Sequence, residues 1–509
     1  MKVCLTGPVG GYYTGRKASR VLGERGDFIT SPELGQIFGE LLGVWTVNEL
    51  YNIGIGPRRP WQLIELGPGS GLLAADVLRV LKQFGYAEGL TLHLVEVSRP
   101  LAAKQAETLC GKDANIEAGG SDGGWYQRCI TSQGIPIYWW PQLAEVPRRF
   151  SVLLAHEFFD ALPIHYFQRQ QNGSWAEVFV DFDDAPPQAF KFALSARDTP
   201  ALRSYLPPEV RDDSAVGHWE CSPASHVVLK EMVDLITERG GFSLIIDYGH
   251  LGDKAESTLR GFKQQAVVSP LSEPGSVDLT ADVNFAAFKA ILDPHVLVFG
   301  PLAQREFLAN LGCQKRQEML LSKAKAEKDR RYLENAYNLM MSETEMGERF
   351  KILVSLCLQV KLEILRRLFI PNSQGILVSL VNLSFHTHLK DLISLQKLIQ
   401  QVGLKHQGSG NFLDTSDIDL FTRERDLRPE WIQLLQKLSS PVRLTAILGD
   451  EEHTQLKFTI LGVSVDLFVA KPYRNGSRGF YTTGAHPHQL VHWHFPGIRD
   501  SFCDAQFLG

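Results

Sequence analysis

Three glycines at alternate positions, Gly67, Gly69 and Gly71 in IELGPGSG, stand directly behind a short apolar run that contains Glu65. Glycine takes left-handed backbone angles freely and has no side chain in the way, so such a turn lets a ligand approach the main chain. A dinucleotide loop of the form GxGxxG would need glycine at 72, where the chain has Leu72. A second apolar run, LHLVEVS, ends in Glu96, 25 residues beyond Gly71. An acidic residue there can accept hydrogen bonds from both hydroxyls of a ribose. Glu65 adds a second negative charge, which would repel a pyrophosphate and attract a cation. Together the two glutamates favour a cationic nucleoside, S-adenosylmethionine with its sulfonium and ammonium, over NAD. The competing explanation is that GPGSG is only a tight strand-to-helix turn.

A second constellation is AHEFFDALPIH, residues 155 to 165, which follows the apolar run SVLL and carries Glu157 and Asp160. Two carboxylates three residues apart on a turn can hold a guanidinium from two sides, in the strong, directional pairing that carboxylates make with arginine. Equally, Glu157 could cap a helix, and Asp160 with Pro163 could close a turn. Near the C-terminus, Asp417 and Asp419 alternate with Ile418 and Leu420 behind Gly408 and Ser409, and Asp466 sits inside the apolar run ILGVSVDLFV. Alternation in a strand sends Asp417 and Asp419 to one face, where they could bind a divalent metal, Mg or Mn, and a lone buried Asp466 would need a metal or partner. The pairs HPH (His486, His488) and HWH (His492, His494) raise zinc as an alternative, but such histidines on a strand edge are more often structural.

The elements that would position these residues follow from the pattern around them. From Trp61 to about Tyr248, short apolar runs (WQLIEL, TLHLVE, FSVLLA, FSLIIDYG) alternate with helical periodicity, predicting βα units and a mainly parallel sheet that binds ligands at the carboxyl ends of its strands. Leu73, Val77, Val80, Leu81 and Phe84 form one apolar stripe on the helix after the glycines. Asn172 and Gly173 separate two alternating runs, which predicts an inserted β-hairpin. Residues 303 to 350 suggest one or two amphipathic helices with a solvated face, 351 to 385 are apolar and irregular, and HLKDLISLQKLIQQVG predicts a further helix before a second α/β pattern.

Composition bounds the remaining classes. At 509 residues and 44% hydrophobic, the chain suffices for two to four domains, and a net charge of −5 gives no global reason to expect nucleic acid. Seven scattered cysteines without a CxxC spacing fit a reducing compartment. The run ILVSLCLQV ends at Lys361, too short to span a membrane, and the basic N-terminus has no signal-peptide core.

Taken in order, GERGDFITSPELGQIFGELLG, LIELGPGSG, LHLVEVS, HEFFDALPIH, IIDYGH, DLTADVNF, GPLAQREFL and MGERF resemble the MidA family over residues 8 to 350. Members are S-adenosylmethionine-dependent protein arginine methyltransferases of mitochondria that assist assembly of respiratory complex I. The resemblance implies a class I, Rossmann-like α/β methyltransferase fold with a hairpin insertion and helical additions. It also implies Gly67, Gly69, Gly71 and Glu96 on the cofactor, and Glu157 and Asp160 near the substrate arginine. The stretch from Gly26 to Glu33 would help close the site, and the protein substrate would be a complex I subunit. The family usually has Arg where this chain has Ser70, and a helical segment and targeting peptide ahead of the GPVGGYY motif.

Residues 386 to 509 resemble the fukutin and LicD group of the nucleotidyltransferase superfamily, which implies a small, partial α/β domain with Asp417, Asp419 and Asp466 on metal. The expected division is therefore 1–350, a junction at 351–385, and 386–509. Were the halves separate coding units, the seam would lie in that junction. The leading expectation is an arginine methyltransferase. The alternatives are a non-catalytic assembly chaperone, and a phospho-sugar transferase working through the C-terminal half.

Overall fold

A computed structural model describes residues 1–15, 30–119, 124–183, 189–254 and 256–357, and beyond them the backbone of strands 405–406, 420–423, 442–449, 453–460, 463–470 and 492–494. The chain divides into two units, Met1–Glu363 and Ile364–Gly509.

The first unit is built on a large sheet whose centre is parallel. Trp61–Leu66 lies between Leu90–Val95 on one side and Ser151–His156 on the other. Pro136–Trp140 extends the parallel set beyond Leu90–Val95, and Gly241–His250 extends it beyond Ser151–His156. Every residue of Trp61–Leu66 and of Ser151–His156 is buried, as the near-continuous apolar runs of a covered parallel sheet require. From Trp61–Leu66 the chain adds Leu90–Val95 and Pro136–Trp140 on one side and then returns to add Ser151–His156 on the other, so the strand order reverses at Trp61–Leu66 and a crevice opens outside the strand ends.

Antiparallel strands close both edges. Gln127–Ile130 and Glu117–Ala118 follow Pro136–Trp140. On the other side, Phe350–Leu356 pairs antiparallel with Gly241–His250, and Leu297–Ala303 lies beyond it. The first unit therefore runs past 350 into the segment expected to be irregular. The reason is burial: Ile352 to Leu356 are all enclosed, which removes the polar alternation that marks a half-exposed strand. Residues 303 to 350 also differ from expectation, forming four short helices, Gln304–Asn310, Cys313–Lys323, Glu327–Met341 and Met346–Arg349. Gly312, left-handed at φ 82°, separates the first two.

The helix Leu72–Gln83 buries Leu73, Val77, Val80 and Leu81, while Phe84, just past its end, is exposed. It lies against Gln36–Asn52, where a Cβ at Gly39 or Gly43 would come within 2.5 Å of Asp76 or 2.7 Å of Val80. The expected hairpin forms between His165–Arg169 and Trp175–Asp183, and two strands absent from the sequence reading, His218–Cys221 and Ala189–Leu194, complete a four-stranded sheet. A three-stranded sheet of Ala266–Val268, Arg260–Lys263 and Asp278–Thr280 stands beside the crevice residues.

In the second unit the described strands form one sheet. Asp466 lies within Val463–Ala470, opposite Lys457 of His453–Ile460 and His492 of His492–His494. Asp417, Asp419, the helix predicted over HLKDLISLQKLIQQVG, His486 and His488 lie outside the described residues. No described helix is long and apolar enough to cross a membrane.

Candidate active site

A cavity of about 810 Å³ opens at the carboxyl ends of the central strands and is lined by Glu65, Gly67, Gly69, Glu96, Glu157 and Asp160 among others. Gly67, Gly69 and Gly71 all have positive φ, at 60°, 53° and 81°. The turn closes with Gly71 N donating to Pro68 O at 2.8 Å, and Gly71 is the N-cap of Leu72–Gln83. At Gly67 a Cβ would meet the Phe158 ring at 2.9 Å, so the glycine turn and the 157–160 loop pack directly on each other.

Glu96 follows the end of Leu90–Val95 and is fixed by the chain. Its Oε1 accepts from Ser98 N at 2.7 Å and its Oε2 from Gln105 Nε2 at 3.0 Å. Gln105 also donates to Gly69 O at 2.9 Å and accepts from Trp139 Nε1 at 2.9 Å, so one side chain ties the acidic strand end to the glycine turn. Burial pushes the Glu96 carboxyl up to about 7, against the pull of these hydrogen bonds. A carboxylate has roughly four acceptor positions. Three are taken here, by Ser98 N, Gln105 Nε2 and the Val97 backbone, which leaves room for a ribose hydroxyl.

Glu65 is buried near the end of Trp61–Leu66, and its Oε2 has no hydrogen-bond partner among the described residues. Burial pushes it up to about 8. Burial without a cation thus favours the protonated form of Glu65, and a cation beside it would draw the charge out. The residues thus fit a cationic nucleoside. Gly67 and Gly69 line the cavity, one carboxylate has free acceptor capacity, and one buried carboxyl lacks a partner.

The other end of the cavity is the loop after Ser151–His156. Glu157 takes φ 50°, in the left-handed region that non-glycine residues rarely adopt. The loop is over-determined by Asp247, whose Oδ2 accepts from the backbone N–H groups of Phe158 at 3.2 Å, Phe159 at 3.0 Å and Asp160 at 3.3 Å. Asp160 Oδ2 accepts from the Tyr248 hydroxyl and from Thr280 Oγ1 at 2.7 Å. Asp160 Oδ1 and Glu157 Oε1 are buried without a hydrogen-bond partner among the described residues. Burial drives Glu157 well above the usual carboxyl range, reinforced by Asp160, Glu33 and Asp278, and it raises Asp160 against the hydrogen bonds of Tyr248 and Thr280. Two carboxyl groups with vacant acceptor atoms, held by a fixed loop, can receive a planar cation with several N–H donors.

The structure thus brings together Glu65, Gly67, Gly69, Glu96, Glu157 and Asp160 around one cavity, while Gly71, in the same turn, faces Gln105 and does not line it. Thr30 and Pro32, from the end of the Gly26–Glu33 stretch, also line the cavity, while residues 16–29 lie outside the described ones. Sequence reasoning assigned no role to Asp247, Tyr248 or Thr280, although they lie in the motifs IIDYGH and DLTADVNF. Tyr13, which lines the cavity and donates to Asp278 at 2.8 Å, comes from an N-terminal stretch that carried no functional signal. A tyrosine immediately after an aspartate at a strand end was the available cue for Asp247 and Tyr248.

A parallel sheet with a reversal of strand order, an open glycine turn and an acidic strand end beside it define an S-adenosylmethionine-dependent methyltransferase. Residues 41–301 match a family model described as "Putative S-adenosyl-L-methionine-dependent methyltransferase". The fold resembles a crystal structure of a COG1565 superfamily member from Burkholderia thailandensis bound to S-adenosyl-homocysteine. That match has a TM-score of 0.54 and 26% identity, covering 70% of this chain and 86% of that one. The sequence is 42% identical over 354 residues to the protein arginine methyltransferase NDUFAF7, mitochondrial, of Danio rerio, covering 69% of this chain and 81% of that protein. It is also 42% identical over 353 residues to the Homo sapiens protein of the same name, covering 69% and 77%. The chain belongs to the NDUFAF7 family of methyltransferases.

Proposed function

We propose that this chain transfers a methyl group from S-adenosylmethionine to a guanidinium nitrogen of a protein arginine. The place is the mitochondrion and the substrate a subunit of respiratory complex I. The observation that supports it is the pair of buried carboxyl atoms, Glu157 Oε1 and Asp160 Oδ1, that lack a partner among the described residues on a loop fixed by Asp247. Glu65, Gly67, Gly69, Gly71 and Glu96 would hold the cofactor, which when bound supplies an electrophilic methyl on a sulfonium.

The chain's own contribution is positioning and electrostatics. Arginine has a pKa of about 12.5 to 13.8, so the guanidinium arrives charged and its nitrogen is a poor nucleophile until a proton leaves. Glu157 and Asp160 bind it from two sides, with the Tyr248 hydroxyl and Thr280 fixing the second carboxylate. Glu157 would take the proton that the guanidinium nitrogen gives up on methylation, the bound cofactor supplying the methyl and keeping the leaving electron pair. A chaperone that binds cofactor and partner without turnover would leave these atoms unused. Labelled S-adenosylmethionine incubated with complex I subunits separates the two: the enzyme places label on arginine, and Glu157→Gln does not.

The second unit has its own reading, a partial nucleotidyltransferase-like domain in which Asp417, Asp419 and Asp466 hold Mg or Mn. The position of Asp466 inside a strand paired on both sides supports it. Metal-dependent transfer of a phospho-sugar, abolished by Asp419→Ala, is its test.

A further inference from the structure

His156 ends the strand that leads into the acceptor loop, and its ring is buried. It stacks against Phe350 with ring centres 6.2 Å apart and planes 13° apart, and it meets Phe38 at 5.0 Å. Between them the ring is held with Nε2 3.4 Å from Glu157 Oε1. Both atoms are buried without a hydrogen-bond partner among the described residues, and at 3.4 Å they stand close without being hydrogen-bonded to each other. The turn that aims Glu157 back at this ring is the left-handed backbone at φ 50°. Two unsatisfied buried polar atoms of complementary type, adjacent in sequence and facing one another, need a reason to be there.

We propose that His156 is the positioning residue for Glu157: in the substrate-loaded site its neutral ring donates Nε2–H to Glu157 Oε1, and so keeps the carboxylate ionised and turned toward the guanidinium. The inference rests on the assignment of Glu157 to the arginine. Burial holds the ring uncharged by pushing it down to about 3, so it can serve as a hydrogen-bond donor without adding a cation that would compete with the substrate. Apart from the Ser31 backbone, the groups recorded as acting on Glu157 are acidic and work against its ionisation. Asp160 is on the same loop, Glu33 follows the Thr30 cap, Asp278 comes from the three-stranded sheet, and Asp247 and Tyr248 come from the neighbouring strand. Glu345 and Arg349 line the same cavity from the segment ahead of Phe350, and Arg260 acts on Asp160. The Ser31 backbone already donates to Glu157, and the His156 ring, 3.4 Å away, is placed to add a side-chain donor.

The test is the pH profile of methyl transfer to an arginine peptide. A hydrogen bond to the charged form lowers a carboxyl pKa, so His156→Phe is expected to move the acidic limb up by about 1 pH unit. Glutamine places an amide Nε2 donor where the imidazole had one, so His156→Gln should keep the wild-type limb. Binding of S-adenosyl-homocysteine should be the same in all three. An unshifted limb in folded His156→Phe overturns the proposal. Should that variant not fold, nitrogen-15 spectra of the wild-type ring with S-adenosyl-homocysteine and arginine peptide decide the matter, His156→Gln supplying the assignment. A proton-bearing Nε2 is expected, and a bare Nε2 overturns the proposal. A fully active Glu157→Gln would instead remove the assignment of Glu157 to the guanidinium. An inactive Glu157→Gln together with a bare Nε2 would remove only the role of His156.

Discussion

At the Glu96 end of the cavity each carboxylate oxygen is bound by the chain, to Ser98 N and to Gln105 Nε2, whereas at the other end Glu157 Oε1 and Asp160 Oδ1 have no hydrogen-bond partner among the described residues. Burial raises all three carboxyls, but Glu96 reaches only about 7 while Glu157 goes well above the usual range. The difference lies in what surrounds them. Glu96 is offset by hydrogen bonds from its own loop and helix, and Glu157 has three other acidic groups acting on it. The Glu96 carboxylate is held in place by the chain before anything binds, which suits a cofactor shared by every turnover. The other end is completed by an incoming cation, and this makes it selective for one.

Substitutions at one end or at both separate the two roles. The largest effect is expected from Gly67→Val, because its Cβ would meet the Phe158 ring at 2.9 Å and its φ of 60° is hostile to a branched side chain. Both ends should fail together, with turnover reduced by about 10³-fold and S-adenosyl-homocysteine binding weakened at least about tenfold, from strain of roughly 1–2 kcal/mol plus the clash. Calorimetry and label transfer report the two losses separately. Next comes Asp247→Ala, which orphans the N–H groups of Phe158, Phe159 and Asp160. Unsatisfied buried donors cost about 1–3 kcal/mol each, so a Tm several degrees lower and a turnover loss of about 100-fold are expected. Cofactor affinity in the folded protein should hardly change, which is the contrast in its purest form.

Tyr248→Phe removes one hydrogen bond to Asp160 and leaves Thr280 in place. Hydrogen bonds to charged groups contribute roughly 1.5–3 kcal/mol, so a fall of about 10- to 100-fold in kcat/KM for the arginine substrate is expected. The smallest effect is one of pH. Glu65 is raised from 4.5 to about 8 in the fold, so the protonated form is favoured by folding. That contribution is complete below about 4.5 and is lost as pH rises through 8, so the Tm of the unliganded protein should fall across this window. Over the same range the sulfonium donor should gain affinity relative to S-adenosyl-homocysteine by a few-fold, because its charge favours ionised Glu65. Equal pH dependence for the two ligands would remove Glu65 from the cation site.

What the sequence showed of this molecule was what short segments encode by themselves. The strands of the sheet centre, the glycine turn, the helix stripe and the Asn172–Gly173 hairpin each announce themselves within about ten residues, through burial or turn chemistry. Glu65, Glu96, Glu157 and Asp160 were legible because each sits at a strand end. Asp247 was not, since its partners Phe158 to Asp160 lie almost 90 positions away and meet it only across the sheet. Tyr13 and Asp278 are 265 positions apart, and nothing local to either predicts the contact. The strand Phe350–Leu356 was hidden for the opposite reason, since full enclosure erased its alternation. The protonated state of Glu65 was equally out of reach, because it depends on how deeply the fold buries that carboxyl.

The central claim is that Glu157 and Asp160 serve the arginine while Glu65 and Glu96 serve the cofactor. The most direct measurement is a paired one on Glu157→Gln, with S-adenosyl-homocysteine affinity by calorimetry and label transfer from S-adenosylmethionine to an arginine peptide in the same preparation. Affinity within about twofold of wild type and transfer reduced by about 10²- to 10³-fold is the predicted result. Unimpaired transfer, or a loss of cofactor binding equal to the loss of transfer, would contradict it.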